Sequence, residues 1–222
     1  MASYQQLQDD VCGWLNRRDV ISLIPGWVAM VETEISEALR ARCMVTFVDQ
    51  PIDAAYITMP TDFATMESIR DATTGQPLEL KDAWSGSWTN AYMPSAWSLY
   101  PQPNVTAPCV AYRLLADCIE FLPHPVIPDP PDPAWVPQAV LMGYYQKPKP
   151  LILPADTNPI LEQLYGVYLY GACKIGALFE LDDDRAQQMD AAYQQVVTRA
   201  NTWKQQSDYS GAPFVEEMAV RF

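Results

Sequence analysis

Apolar positions recur at helical spacing near both ends of the chain and at strand-like spacing between them. Tyr4, Leu7, Val11, Trp14 and Leu15 share one helical face. Ser3 precedes them with Gln6 three residues on, the pattern of a capping box. The stretch NRRD, 16–19, interrupts the pattern. Ile24, Trp27, Val28, Val31, Ile35 and Leu39 then make a second stripe, and Arg40 and Arg42 at its end suit the negative pole of a helix. Glu32, Glu34 and Glu37 lie within that second helix. Two readings stand for them, a solvated charged face or a face that meets a neighbouring subunit.

From 45 to 150 the texture changes to short β-branched and aromatic segments separated by turn residues. AYITMP, FATMESIR and QPLELKD read as strands. CVAYRLL and CIEFLP, on either side of Ala116-Asp117, predict a hairpin. AVLMGYY predicts a further strand. Between them PHPVIPDPPDPAWVP is too rich in proline for a central strand and reads as a stiff extended loop. The segment 84–100 is aromatic and turn-rich. Trp84, Trp88, Tyr92, Trp97 and Tyr100 read either as a satellite core or as an interface, since aromatic residues favour interface centres.

Helical spacing returns after 158. Asn158 followed by Pro159 is an N-cap with proline at the first helical position. The stripe Leu161, Leu164, Tyr165, Tyr168, Leu169, Ala172, Ile175 and Phe179 predicts one helix. Gly166, Gly171 and Gly176 weaken it intrinsically but permit another helix to come close. Ala186, Met189, Tyr193, Val196, Val197 and Ala200 predict one more. Between the two stands Asp182-Asp183-Asp184. Adjacent side chains diverge, so the run reads as the cap of the last helix, where the dipole favours negative charge, rather than as a metal site. The remaining segment carries Phe214, Val215, Met218, Val220 and Phe222, spaced to tuck onto its own domain or to dock on a partner.

Charge and composition narrow the function. Lys plus Arg is 14 against 27 for Asp plus Glu, a net charge of −13, which repels phosphate backbones and argues against gripping DNA. The five cysteines are scattered, with no CxxC pair, and read as buried thiols. His124, the one histidine, lies between prolines, a poor place for a catalytic base. No phosphate-binding glycine loop, dinucleotide fingerprint or HExxH occurs, so neither a cofactor nor a metal is expected. No apolar run reaches the roughly 20 residues that span a bilayer, and MASYQQLQDD lacks the basic and apolar regions of a secretory signal.

Four segments, in order, resemble the head-to-tail adaptor proteins of short-tailed bacteriophages, also called connector, head-completion or tail tubular proteins. They are SYQQLQDDVCGWLNRRDVISLIPGWVAMVETEISEALRAR, ITMPTDFATMESIR, GYYQKPKPLI and LYGVYLYGACKIGALFELDDDRAQQMDAAYQQVV. The proline-rich segment 123–137 is longer than the turn found there in such proteins, and 84–100 fits loosely. The resemblance implies a structural virion protein, not an enzyme. It would form a ring, usually of twelve subunits, beneath the portal protein at the head–tail junction. The ring would extend the DNA channel for ejection and offer the surface on which tail or nozzle proteins assemble, with DNA passing unbound. Phe214, Val215, Met218, Val220 and Phe222 become candidate portal anchors.

The expected fold is α+β, a helical bundle of N- and C-terminal helices (1–44 and 155–206) with a β-rich domain inserted (45–154) and a tail, 207–222. Two other readings remain open at this stage. One is an interaction module that uses its proline-rich loop as a ligand. The other is a cell-wall hydrolase with paired carboxylates about 5–10 Å apart.

Overall fold

A computed structural model describes residues 2–81, 108–122, 124–125 and 136–209. The fold is α+β, with helices, then sheets, then helices, and the chain divides into two compact units. One is helical, Met1–Met44 with Lys147–Phe222; the other, Val45–Gln146, is built of strands.

In the helical unit α1 spans Tyr4–Leu15, and the Ser3 hydroxyl accepts from the Gln6 N–H as the spacing predicts. The helix ends in a left-handed Asn16 (φ 55°), with the Arg17 N–H on the Cys12 carbonyl and the Asn16 N–H on the Gly13 carbonyl. This is a Schellman turn, and asparagine tolerates its positive φ. Helix α2 spans Ile24–Ala38. Arg40 closes it by donating to the carbonyls of Ser36, Glu37 and Leu39.

The single helix expected after Asn158 is two. Asn158 caps α3, Pro159–Gln163, but Leu164 leaves helical geometry (φ −129°, ψ 46°), and α4 starts afresh at Tyr165–Phe179. Apolar spacing runs unbroken through Leu164, so periodicity alone hides the break. Helix α5 covers Asp183–Tyr209, and the Asp182 carboxylate caps it by accepting from the Arg185 N–H. The aspartate run thus starts a helix, as expected.

Helix α4 is apolar on nearly every side and touches α1, α2, α3 and α5. Its glycines permit this. A Cβ on Gly171 would lie 2.9 Å from Val31 Cγ2, and one on Gly176 would lie 2.6 Å from Leu15 Cδ1 and 3.0 Å from the Trp27 ring.

In the β unit, β1 (Val45–Ile52), β7 (Gln138–Gln146) and β3 (Phe63–Asp71) form an antiparallel sheet in the order β1-β7-β3. The second sheet runs β2 (Tyr56–Thr58), β6 (Cys118–Leu122), β5 (Ala111–Leu114) and β4 (Glu79–Leu80), with β4 parallel to β5. Strand β1 was not among the expected strands. Its Pro51 and its exposed Phe47 obscure the alternation, and both are tolerated because β1 is an edge. The hairpin at Ala116-Asp117 forms, closed by the Leu115 N–H on the Cys118 carbonyl at 2.9 Å. Inward side chains of the two sheets, among them Ile52, Ile69, Val140, Met142, Ile119 and Phe121, make one core.

The glycine packing predicts a contrast. Gly171→Leu must displace the β-branched, fully buried Val31 and should cost about 1–3 kcal/mol. Gly13→Ala faces open space in α1 and should add up to about 1 kcal/mol. Urea unfolding of both variants measures this, and an unchanged midpoint for Gly171→Leu would reject the close approach.

Candidate interaction surfaces

Most titratable groups of the helical unit are engaged internally. The Glu32 carboxylate accepts from the Leu151 N–H (3.1 Å) and from the Tyr168 hydroxyl, which in turn accepts from Asn158 Nδ2 at 2.8 Å. Burial raises the pKa of Glu32. Glu34 pairs with Lys174 of α4 at 2.8 Å, and Asp190 of α5 stands 3.6 Å from the same ammonium. Glu32 and Glu34 therefore hold α2 to its neighbours, and only Glu37 is left as a solvated charge on that helix. The sequence cannot tell these cases apart, because the partners that take Glu32 and Glu34, Leu151 and Lys174, lie more than a hundred residues away along the chain.

The β unit has its own polar node. Glu120 is 3% exposed and takes hydrogen bonds from Arg113 on β5, Tyr56 on β2 and His124 beyond the end of β6. Burial pushes its carboxyl up, but the bonds from His124 and Arg113 outweigh that and hold it below the usual glutamate range. His124, expected in a loop, thus closes a cross-strand row. A second node joins the sheets: the Gln138 amide of β7 donates to Asp71 at 2.7 Å and bonds both backbone groups of Cys109. Of the cysteines, Cys12, Cys109 and Cys173 are buried, while Cys43 and Cys118 are only partly so. Burial pushes the thiols of Cys109 and Cys173 up to about 11 and about 12, so both stay protonated.

The exposed apolar residues point elsewhere. At one end of the helical unit the α4–α5 turn presents Leu178, Phe179 and Leu181, the last 88% exposed. Trp27 lies 6.0 Å from the Phe179 ring, and Arg185 donates to the Trp14 carbonyl at the end of α1. The turn is a second Schellman motif, with the Asp182 N–H on the Ala177 carbonyl and the Leu181 N–H on Leu178. Its left-handed residue is Leu181, φ 58°, where glycine would be relaxed. At the other end of α1, Ile152 and Leu153 stand outward from a turn held by the Asp156 carboxylate, which accepts from both their N–H groups.

Phe179 was read as part of the apolar stripe of α4, yet it is more than half exposed at the end of that helix; the others were not singled out, since aliphatic residues beside helices read as core. Two signals were there: a leucine where a C-terminal glycine belongs, and an aliphatic run, Leu151 to Leu153, bounded by Pro150 and Pro154, which keep it out of a central strand. The residues that were singled out, Trp84, Trp88, Tyr92, Trp97 and Tyr100 with Phe214, Val215, Met218, Val220 and Phe222, all lie outside the described residues. So does most of the proline-rich segment.

The described residues thus form an α+β protein whose polar groups hold helices and sheets together and whose turns display apolar residues. The comparison with known families is specific: the family model of the SU10 adaptor protein matches residues 2–216. The chain belongs to the SU10 adaptor family, a structural family, and this membership supports the role of a phage head–tail adaptor, a virion component that associates with other virion proteins. No curated protein gives a significant match. Among the described residues, no helix is long and apolar enough to cross a membrane.

Two stability predictions follow from the turns. Leu181→Gly relieves a left-handed leucine that buries little, and should raise the unfolding free energy by about 1 kcal/mol in urea titration. Asp71 accepts from the N–H groups of Thr73 and Thr74 and from Gln138, and the Thr74 bond leads the causes that place its pKa below the ordinary 3.8. A lowered folded pKa stabilises above the ordinary value, and this contribution is lost as pH falls through the folded one. Wild type should therefore exceed Asp71→Asn by about 1 kcal/mol at neutral pH. The gap should close as acid titrates the group from pH 3.8 downward. A gap independent of pH would sink the assignment.

Proposed function

We propose that copies of this chain form a ring between portal and tail, extend the channel for DNA and offer the surface on which the tail assembles. Family membership across residues 2–216 is the observation that carries the reading. The helical unit would pack subunits together and meet the portal, and the β unit would reach towards tail or nozzle proteins. A net charge of −13 accords with a channel wall that lets DNA slide without holding it. The apolar anchors Phe214, Val215, Met218, Val220 and Phe222 would seat in clefts of the portal.

Quantitative mass spectrometry of purified particles tests this. The protein should be present in a fixed ratio to the portal, set by ring symmetry and near twelve copies. A chain lacking 209–222 should be missing from particles although it folds. One or two copies per particle, or none, would reject the ring; undiminished incorporation of the truncated chain would reject the anchors.

A further inference from the structure

The two exposed apolar turns of the helical unit differ in what surrounds them. Leu178, Phe179 and Leu181 are followed by Asp183 and Asp184, exposed carboxylates that form no ion pair with a described residue. Ile152 and Leu153, 75% and 63% exposed, follow the exposed Lys147 and Lys149; neither lysine is within ion-pair distance of a described residue, though Lys149 is near enough to Asp156 to help hold its carboxyl below the usual range. At the first surface Glu180, Asp182, Asp183 and Asp184 outnumber Arg17 and Arg185, which bond Glu180 and the Trp14 carbonyl; at the second, Lys147 and Lys149 outnumber the one carboxylate of the turn, Asp156. Both surfaces are fixed before any partner arrives. The first is a Schellman turn and the second is pinned by Asp156, so little conformational freedom is lost on docking.

Their placement decides what can join them. The carbonyls of Pro154 and Asp156 accept from the N–H groups of Gln5 and Tyr4, so the basic turn sits at the start of α1. Arg185 bonds the Trp14 carbonyl, so the acidic turn sits at its end. The helix between them, about 1.5 Å per residue, keeps the turns about 18 Å apart. Within one rigid unit they cannot meet.

We infer that they meet between copies: the 178–184 turn of one subunit docks on the 147–153 turn of the next. The inference rests on the ring reading above and names the surfaces that would build it. Two different patches on one subunit make a heterologous contact, which repeats and closes into a ring when the rotation allows. Copies with a net charge of −13 repel one another in most orientations, and a basic rim facing an acidic rim selects this one.

Sedimentation velocity on the full chain, over a concentration series reaching the millimolar range, tests the contact. Wild type should form species larger than a monomer as concentration rises. The pair Asp183→Lys with Asp184→Lys, and the pair Lys147→Glu with Lys149→Glu, should each weaken association by about tenfold or more. Mixing the two variants should restore it, because each then offers the rim the other lacks. Leu181→Gly should weaken association while circular dichroism shows an intact, no less stable fold. The contact is overturned by a wild type that stays monomeric throughout, by a charge variant that assembles as wild type does, or by a mixture that fails to recover. Ring formation itself is judged separately by copy number in particles. A wild type that assembles with its charge variants unaffected would move the contact elsewhere and leave the ring standing.

Discussion

The helical unit depends on how closely α4 can be approached. Gly171 and Gly176 leave no room for a side chain, and Val31, Leu15 and Trp27 occupy the space. With α1, α2 and α5 drawn onto one apolar helix, the end of α4 lies beside the end of α1 and the start of α2. That convergence brings the α4–α5 turn next to α1. Polar links then fix the arrangement without supplying reactivity: Lys174 ties α4 to α2 and α5, and Asn158, Tyr168 and Glu32 tie α3 and α4 to α2. Of these links the one through Asn158 and Tyr168 is buried, so removing either partner would leave a polar group unsatisfied at a cost in free energy.

The β unit meets a different constraint. Its chain passes repeatedly between two sheets, β1 to β2, back to β3, then through β4, β5 and β6 before β7 returns to the centre of the first sheet. Such non-local pairing needs something to fix register. Gln138 does this at the start of β7 by bonding both the end of β3 and Cys109, which leads into β5. Glu120 does it in the second sheet, where three strands contribute one row of side chains, Tyr56, Glu120 and Arg113.

Much of the local structure was legible because it is set by local chemistry. Ser3, Asn158 and Asp182 are caps, Arg40 is a helix end, and Ala116-Asp117 is a hairpin loop, each decided by residues three or four positions apart. What escaped depends on distant partners. Strand β1 is marked by its place at a sheet edge rather than by its alternation. The split at Leu164 leaves the apolar period intact. Glu32 and Glu37 look alike until Leu151 and Tyr168 take one of them and not the other. The order of strands in the two sheets follows from none of these short patterns. The exposed turns escaped for the same reason, since a leucine's exposure is a property of the assembled helices and not of its neighbours in sequence.

The two Schellman turns of the helical unit make the contrast sharpest. They share a hydrogen-bond pattern, end helices that pack together and place one residue each near φ 55°. The α1 turn uses asparagine, which accepts that geometry at little cost. The α4 turn uses leucine, which does not, and leaves it 88% in solvent, where burial within the subunit returns almost nothing. Folding alone would favour glycine at 181. The proposed contact would account for a strained, exposed aliphatic residue beside carboxylates that form no ion pair with a described residue, the loss in the subunit being offset in the assembly. On the proposed contact, the stability given up at this turn within one subunit is recovered when the next subunit covers Leu181.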